Sequence, residues 1–387
     1  MSDLTEFQRS FLNILISGLG EDIGQVATNI EIAKIAKCAN RHQLSVLAYY
    51  GIKNLHLFSD EQMQGFKDHT YNIIYATVNQ MYELERLTNT FKVKGIDYRL
   101  LKGSYIRDYY LKPEMRLMSD IDVLIRDSQY KIIKPLMKEL GYIFSYESDH
   151  EITWKLPNGL IVELHKSLVP TYNKDFIRYY GDGWRVFESE EKLYEKQYIY
   201  SFVHFAKHYR DGGAGIKYVF DFYVMQKANK ELDIEYIREQ LSELKLLEFY
   251  DNICKTMGVW FEGKEDTEVT DLITENLFTS GVYGSFEKHA IAKTYKKSKQ
   301  TGSIKKARIQ NTFSSAFSSL ENNKKRHRFL NKMPFLLPLA WFLNWLNALT
   351  KNHNKIGEVM KKAAVSTEEN VEKFRKDLQA VGLDYYD

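Results

Sequence analysis

Cysteine and proline are scarce in this chain of 387 residues, which holds two cysteines and six prolines. Cys38 and Cys254 lie far apart in sequence, which excludes a disulfide framework and favours a reducing compartment. Neither has a partner at metal-site spacing, so both read as packing residues. The few prolines, and the lack of any low-complexity tract, exclude a proline-rich or flexible linker. The opening Met1-Ser2-Asp3-Leu4-Thr5-Glu6 lacks the basic and apolar regions of a signal peptide, so a cytoplasmic location is expected. No apolar run reaches the roughly 20 residues of a membrane span. Asp211-Gly212-Gly213-Ala214-Gly215 lacks the Gly-Lys-Ser ending of a P-loop and reads as a tight turn between helices. His204 and His208 share a helix face, but no glutamate stands between them in the metalloprotease position and no third ligand is clear. A structural histidine pair is the expectation.

What is present is an ordinary globular composition, 44% hydrophobic, enough for one large or two ordinary domains. Residues 1–95 read as helices, the last of them a long stretch from Ser59 to Lys94 stopped by Gly95. Residues 96–186 alternate between the two kinds of element. Strands are expected over 96–101, 120–125, 142–146, 150–156 and 160–165. The last two are joined by the turn Pro157-Asn158-Gly159. Helices are expected over 104–111 and 128–140, the second capped by Ser128 and ended by Gly141. Residues 187–350 return to helices, and 351–387 form a charged helix and tail. The fold class is therefore α+β, a small mixed sheet flanked by helical regions.

The richest signal lies at 102–122: Lys102-Gly103-Ser104, fifteen residues, then Asp120-Ile121-Asp122 opening the apolar run to Ile125. Alternate residues of a strand share a face, so Asp120 and Asp122 point one way while Ile121 and Val123 enter the core. Two carboxylates side by side repel unless a cation sits between them. Mg2+ suits such oxygen donors, supplemented by substrate phosphates. A strand and glycine turn leading into a helix offer free backbone N–H groups to phosphate. The strand Ile161-Val162-Glu163-Leu164-His165 can bring a third carboxylate, Glu163, beside the pair, with His165 on the same face.

Together these parts resemble the DNA polymerase beta-like nucleotidyltransferase superfamily, and most closely an uncharacterised bacterial branch of it. The resemblance rests on Leu101-Lys102-Gly103-Ser104, Arg116, Asp120 to Ile125, Gly141-Tyr142 and Val162 to His165. It continues through His204 to Tyr209, Gly213 to Ile216, Asp221 and the tail from Phe335 to Trp341, covering about 80–350. It implies Mg2+, with Mn2+ as a substitute, held by Asp120, Asp122 and Glu163, and a nucleoside triphosphate as substrate. A nucleoside monophosphate would pass to an acceptor hydroxyl and pyrophosphate would leave. Gly103 and Ser104 would approach the phosphates, and Lys102 and Arg116 would neutralise them or form surface ion pairs. Lys207 or His208 would touch a phosphate, with Asp221 holding the helix pair together. Position 163 is often Asp in the superfamily, so a catalytically weakened nucleotide-binding module is the alternative. Asp122→Ala is expected to abolish transfer and leave the fold intact.

Charge is uneven. Residues 288–332 hold thirteen Lys and Arg against Glu321, a net of +12 in a chain of +3. This suggests an anionic partner: RNA, a polyanionic acceptor or a membrane surface. The opposing readings are a solvated helical face or a mobile loop at 296–310. A partner-binding module using this segment is thus a further function class. The apolar stretch 334–350, with Trp341, Phe342 and Trp345, is expected to pack on its own domain; lying on a membrane is the alternative.

Overall fold

The computed structural model describes residues 4–22, 24–171, 173–282, 284–324, 326–350, 361 and 364–385. Met1 to Asp3 and most of 351–363, part of the expected charged tail, lie outside the described residues. The chain forms two compact units, one of residues 1–206, 215–282 and 386–387, the other of 207–214 and 283–385.

The first unit opens with α1 (Glu6–Gly18), α2 (Ile32–Arg41), α3 (Ser45–Leu55) and α4 (Asp60–Val93). Ser59 caps α4 in a reciprocal capping box with Gln62. Gly95, at φ +64°, ends the region as expected. Five strands follow: β1 (Tyr98–Leu100), β2 (Ile121–Ile125), β3 (Ile143–Glu147), β4 (Glu151–Lys155) and β5 (Ile161–His165). Their order is β1-β2-β5-β4-β3, and only the β2–β5 pair is parallel. One face of the sheet is apolar. Ile121, Val123, Ile125, Val162 and Leu164 pack there on Leu87 and Phe91 of α4 and on Ile133 and Met137 of α6 (Tyr130–Glu139). That packing fixes the register, because a one-residue slip would bury the carboxylates in the core.

Two local expectations need correction. The helix at 104–111 splits into α5 (Gly103–Ile106) and a 3-10 turn over Arg107–Tyr109. Ser128 does not cap α6; it lies in a 3-10 turn, Asp127–Gln129, and the N-cap position is Gln129. The unit continues with α7 (Lys174–Tyr180), α8 (Trp184–Phe187), most of α9 (Leu193–Asp211), α10 (Lys217–Ala228), α11 (Ile234–Glu243), α12 (Leu247–Glu262) and α13 (Glu268–Ser280).

The second unit holds α14 (Phe286–Thr301), α15 (Ile304–Ala316), α16 (Leu320–Lys324), α17 (Leu337–Thr350) and α18 (Glu368–Ala380). Most of 296–310 is therefore helix rather than loop. Trp341 and Trp345 pack on Phe317, but Phe342 is 62% exposed, so the apolar stretch packs on its own domain only in part. Among the described residues, no helix is long and apolar enough to cross a membrane.

Candidate active site

The polar face of the sheet carries the site. Asp122 and Glu163 are direct partners across the parallel β2–β5 pair, so one ladder position sets two carboxylates side by side. His165 lies two residues along β5 on the same face. Asp122, Glu163 and His165 offer ligand atoms within 4.8 Å of one another, a group that could hold a metal ion. Asp120 does not join this group. It is half-buried, just before β2 begins.

Asp122 is 3% exposed, and its Oδ1 accepts from two donors. Lys102 Nζ and His165 Nε2 each lie 2.8 Å from it. Burial pushes the Asp122 carboxyl up, but the Lys102 charge and the His165 hydrogen bond outweigh it and hold the group at about 2. Burial and the charge of Lys102 lower the His165 pKa, which favours neutral imidazole. Its Nε2–H then donates to Asp122, and the buried Nδ1 has no partner. Glu163 has no such support. Burial, then Asp122 and Asp120, push its carboxyl up to about 8. Burial and Asp122 likewise raise Asp120 to about 6. The site thus carries more carboxylate than its own cations neutralise. Asp122 and Glu163 oxygens, with Asp120 near, suit a hard divalent cation. His165 fits better as the group that holds Asp122 in place, because binding through Nε2 would require its hydrogen to move to Nδ1.

The glycine turn differs from its sequence reading. The residue in an unusual conformation is Lys102, at φ +50°, ψ −128°, and not Gly103. Holding a lysine there costs about 1–3 kcal/mol. The return is an ammonium placed on Asp122. A Cβ on Gly103 would meet Met118 Cγ at 2.8 Å and Arg116 Nη1 at 3.1 Å, so the glycine makes room for protein side chains. Ser104 is fully buried: its Oγ accepts from the Asp122 backbone N–H at 3.0 Å, and its own N–H donates to Leu101 O. The first fastens β2 to the turn, and the second closes the turn itself. Arg116 is buried and grips Asp221 with two nitrogens, at 2.7 and 2.8 Å. Tyr110 donates to the same carboxylate at 2.8 Å. Neither Arg116 nor Asp221 is at the surface, so their ion pair is internal.

Lys207 and His208 are half-buried near the end of α9, in the stretch belonging to the second unit. His204 lies 6.3 Å from the Tyr218 ring, centre to centre. No metal-capable group among the described residues includes either histidine. The loop after α9 is the expected turn, with Gly213 at φ +102°.

Two cations escaped the sequence reading. Lys217 begins α10 and is 5% exposed; its Nζ donates to Gln43 Oε1 at 2.6 Å. Burial, then Arg116, pushes its pKa well below the usual lysine value, with Asp221, Asp120 and Asp122 opposing. Arg107 is 2% exposed, and none of its three side-chain nitrogens has a hydrogen-bond partner. Burial lowers its pKa to about 10. Neither stands in a recognisable motif; only the lysine at the start of α10 offered a hint.

A family model described as an uncharacterised nucleotidyltransferase matches residues 28–262. The chain belongs to that family. The match covers the sheet, every carboxylate above and most of the N-terminal helices. It begins earlier than the resemblance read from the sequence and stops before the tail at 335–341. The basic segment also lies beyond the family's shared part. No curated protein matches the chain.

Proposed function

We propose that the protein is a Mg2+-dependent nucleotidyltransferase that moves a nucleoside monophosphate from a nucleoside triphosphate to an acceptor hydroxyl, releasing pyrophosphate. One observation carries the reading: in a family of nucleotidyltransferases, Asp122 and Glu163 stand side by side on one sheet face, with His165 completing a metal-capable group. Asp120, Asp122 and Glu163 would hold the cation. When bound, it would neutralise triphosphate oxygens and stabilise the attacking and leaving oxygens.

The remaining work falls to this chain's own groups. Ser104 and His165 hold Asp122 at its station. Lys102 balances its charge. Glu163, beside Asp122 on the same sheet face, would help hold the cation or orient the acceptor hydroxyl, whose proton passes to solvent. The acceptor oxygen bonds to the α-phosphorus as the bond to the pyrophosphate oxygen breaks. Lys217 and Arg107 are buried basic groups that form no close ion pair among the described residues, and a triphosphate would supply further negative charge.

The alternative is a nucleotide-binding module with weak or no turnover, and two contacts favour it. Lys102 and His165 already satisfy Asp122 Oδ1 without any cation. Pyrophosphate release measured with and without Mg2+ separates the two. Release that needs Mg2+ supports the transferase; tight nucleotide binding with no release supports the module.

A further inference from the structure

The second unit presents a surface whose polarity is inverted. On α17 three large apolar side chains face outward: Leu339 is 46% exposed, Phe342 62% and Leu346 47%, with Phe335 just before the helix at 75%; one polar residue, Asn347, is exposed beside them. Their spacing of three or four residues puts them on one stripe. The hydrogen-bonding groups point the other way. Trp341 Nε1 donates to Ser318 O at 2.8 Å, and Asn344 Nδ2 donates to Asn323 Oδ1 at 2.7 Å. The stripe of Phe335, Leu339, Phe342 and Leu346 itself carries no hydrogen-bonding side chain. Large side chains on an exposed stripe cost free energy unless something covers them.

The charges around the stripe state what covers it. In sequence, residues 322–350 contain five Lys and Arg and no Asp or Glu. Arg326, Arg328 and Lys332, just before the helix, are exposed. An apolar stripe bearing Phe and Leu, preceded by exposed cations, matches the interface of an anionic bilayer: hydrocarbon accepts the stripe and headgroup phosphates accept the cations. RNA would satisfy the cations and leave the leucines wet. At 14 residues α17 is too short to span a bilayer, so it would lie along the surface. The surface stands outside 28–262, so it is an addition to the family's shared part.

We propose that the α17 stripe and its flanking cations dock the protein on anionic lipid membranes. The test is vesicle flotation of the full chain on phosphatidylcholine alone and on a 70:30 mixture with phosphatidylglycerol. Expected is flotation with the mixture only, weakened by salt. The variant F342E/L346E should bind at least about tenfold more weakly. Both positions are exposed, so its thermal melt should be unchanged. No flotation of the wild type on the mixture would overturn the proposal, as would flotation that F342E/L346E leaves intact. A wild-type dimer that the same variant converts to monomer, without flotation, would assign the stripe to a second copy instead. Salt-sensitive binding to a single-stranded RNA in place of vesicles would assign the cations to nucleic acid.

Discussion

Lys102 Nζ lies 2.8 Å from Asp122 Oδ1, and the lysine reaches it from a backbone conformation that side chains rarely adopt. The contact binds the turn to the strand and sets the charge at the centre of the site. Breaking a buried ion pair leaves one charge uncompensated and costs about 3–5 kcal/mol. Lys102→Met is therefore expected to lose stability of about that size in urea unfolding. A loss below about 0.5 kcal/mol, the scale of neutral surface substitutions, would show that the pair does not form. The same reasoning corrects the expectation for Asp122→Ala. That change would strand the Lys102 ammonium and disturb the fold, so Asp122→Asn is the better probe.

Stability of the metal-free protein should fall with rising pH. Glu163 is raised from 4.5 to about 8, and Asp120 from 3.8 to about 6. Between the ordinary and raised values the folded chain holds protons that the unfolded chain has released. Their contribution is full below about pH 4 and is lost as pH rises through 6 and then 8. Melting temperature should drop from pH 5 to pH 8, and Glu163→Gln should flatten the upper part of that drop. Identical slopes for the two proteins would remove Glu163 from the site's charge balance.

Arg116 and Asp221 form a buried two-pronged pair, so their substitutions should act first on stability. Asp221→Ala leaves a buried guanidinium unpaired and should cost about 3–5 kcal/mol. Arg116→Lys cannot reproduce the fork and should also destabilise. Urea unfolding checks both. Wild-type stability with weakened nucleotide binding in Arg116→Lys would mean that the guanidinium serves the substrate directly.

Lys217 and Arg107 should show the opposite pattern. Each is buried and forms no close ion pair with a carboxylate among the described residues, so burial outweighs what the free protein gains from the charge. Lys217→Met should leave melting temperature unchanged or raise it, while weakening triphosphate binding by about tenfold or more. Arg107→Met should behave alike. Calorimetric titration with a non-hydrolysable triphosphate reads the affinity. Destabilisation with unaltered affinity would make both residues structural.

Much of the fold was legible because the strands obey a period of two and the turns carry glycine. Ile121, Val123 and Ile125 alternate with the acidic positions, which placed β2 and its two faces correctly. The pairing of Asp122 with Glu163 was reachable for the same reason. The turn was not. Sequence places unusual backbone geometry on glycine, and here Lys102 takes it, held by a contact with a residue twenty positions away. Ser128 resembled a helix cap, but a 3-10 turn had already begun. His165 lay in plain view, yet its part depends on which atom faces Asp122. Lys217 and Arg107 were invisible as a pair because burial, rather than residue type, makes their charges unusual. Phe342 read as core by its hydrophobicity, although the inward positions of α17 go to Trp341 and Asn344.

The most direct test of nucleotidyl transfer uses purified protein, Mg2+, each α-labelled nucleoside triphosphate and a lysate of the source organism. Wild type is compared with Asp122→Asn and Glu163→Gln, each shown to be folded, and label is followed into protein, RNA, lipid and small-molecule fractions. The account predicts Mg2+-dependent label in one fraction with wild type and none with either variant. Equal labelling by all three proteins, or none by wild type despite measurable nucleotide binding, would contradict it.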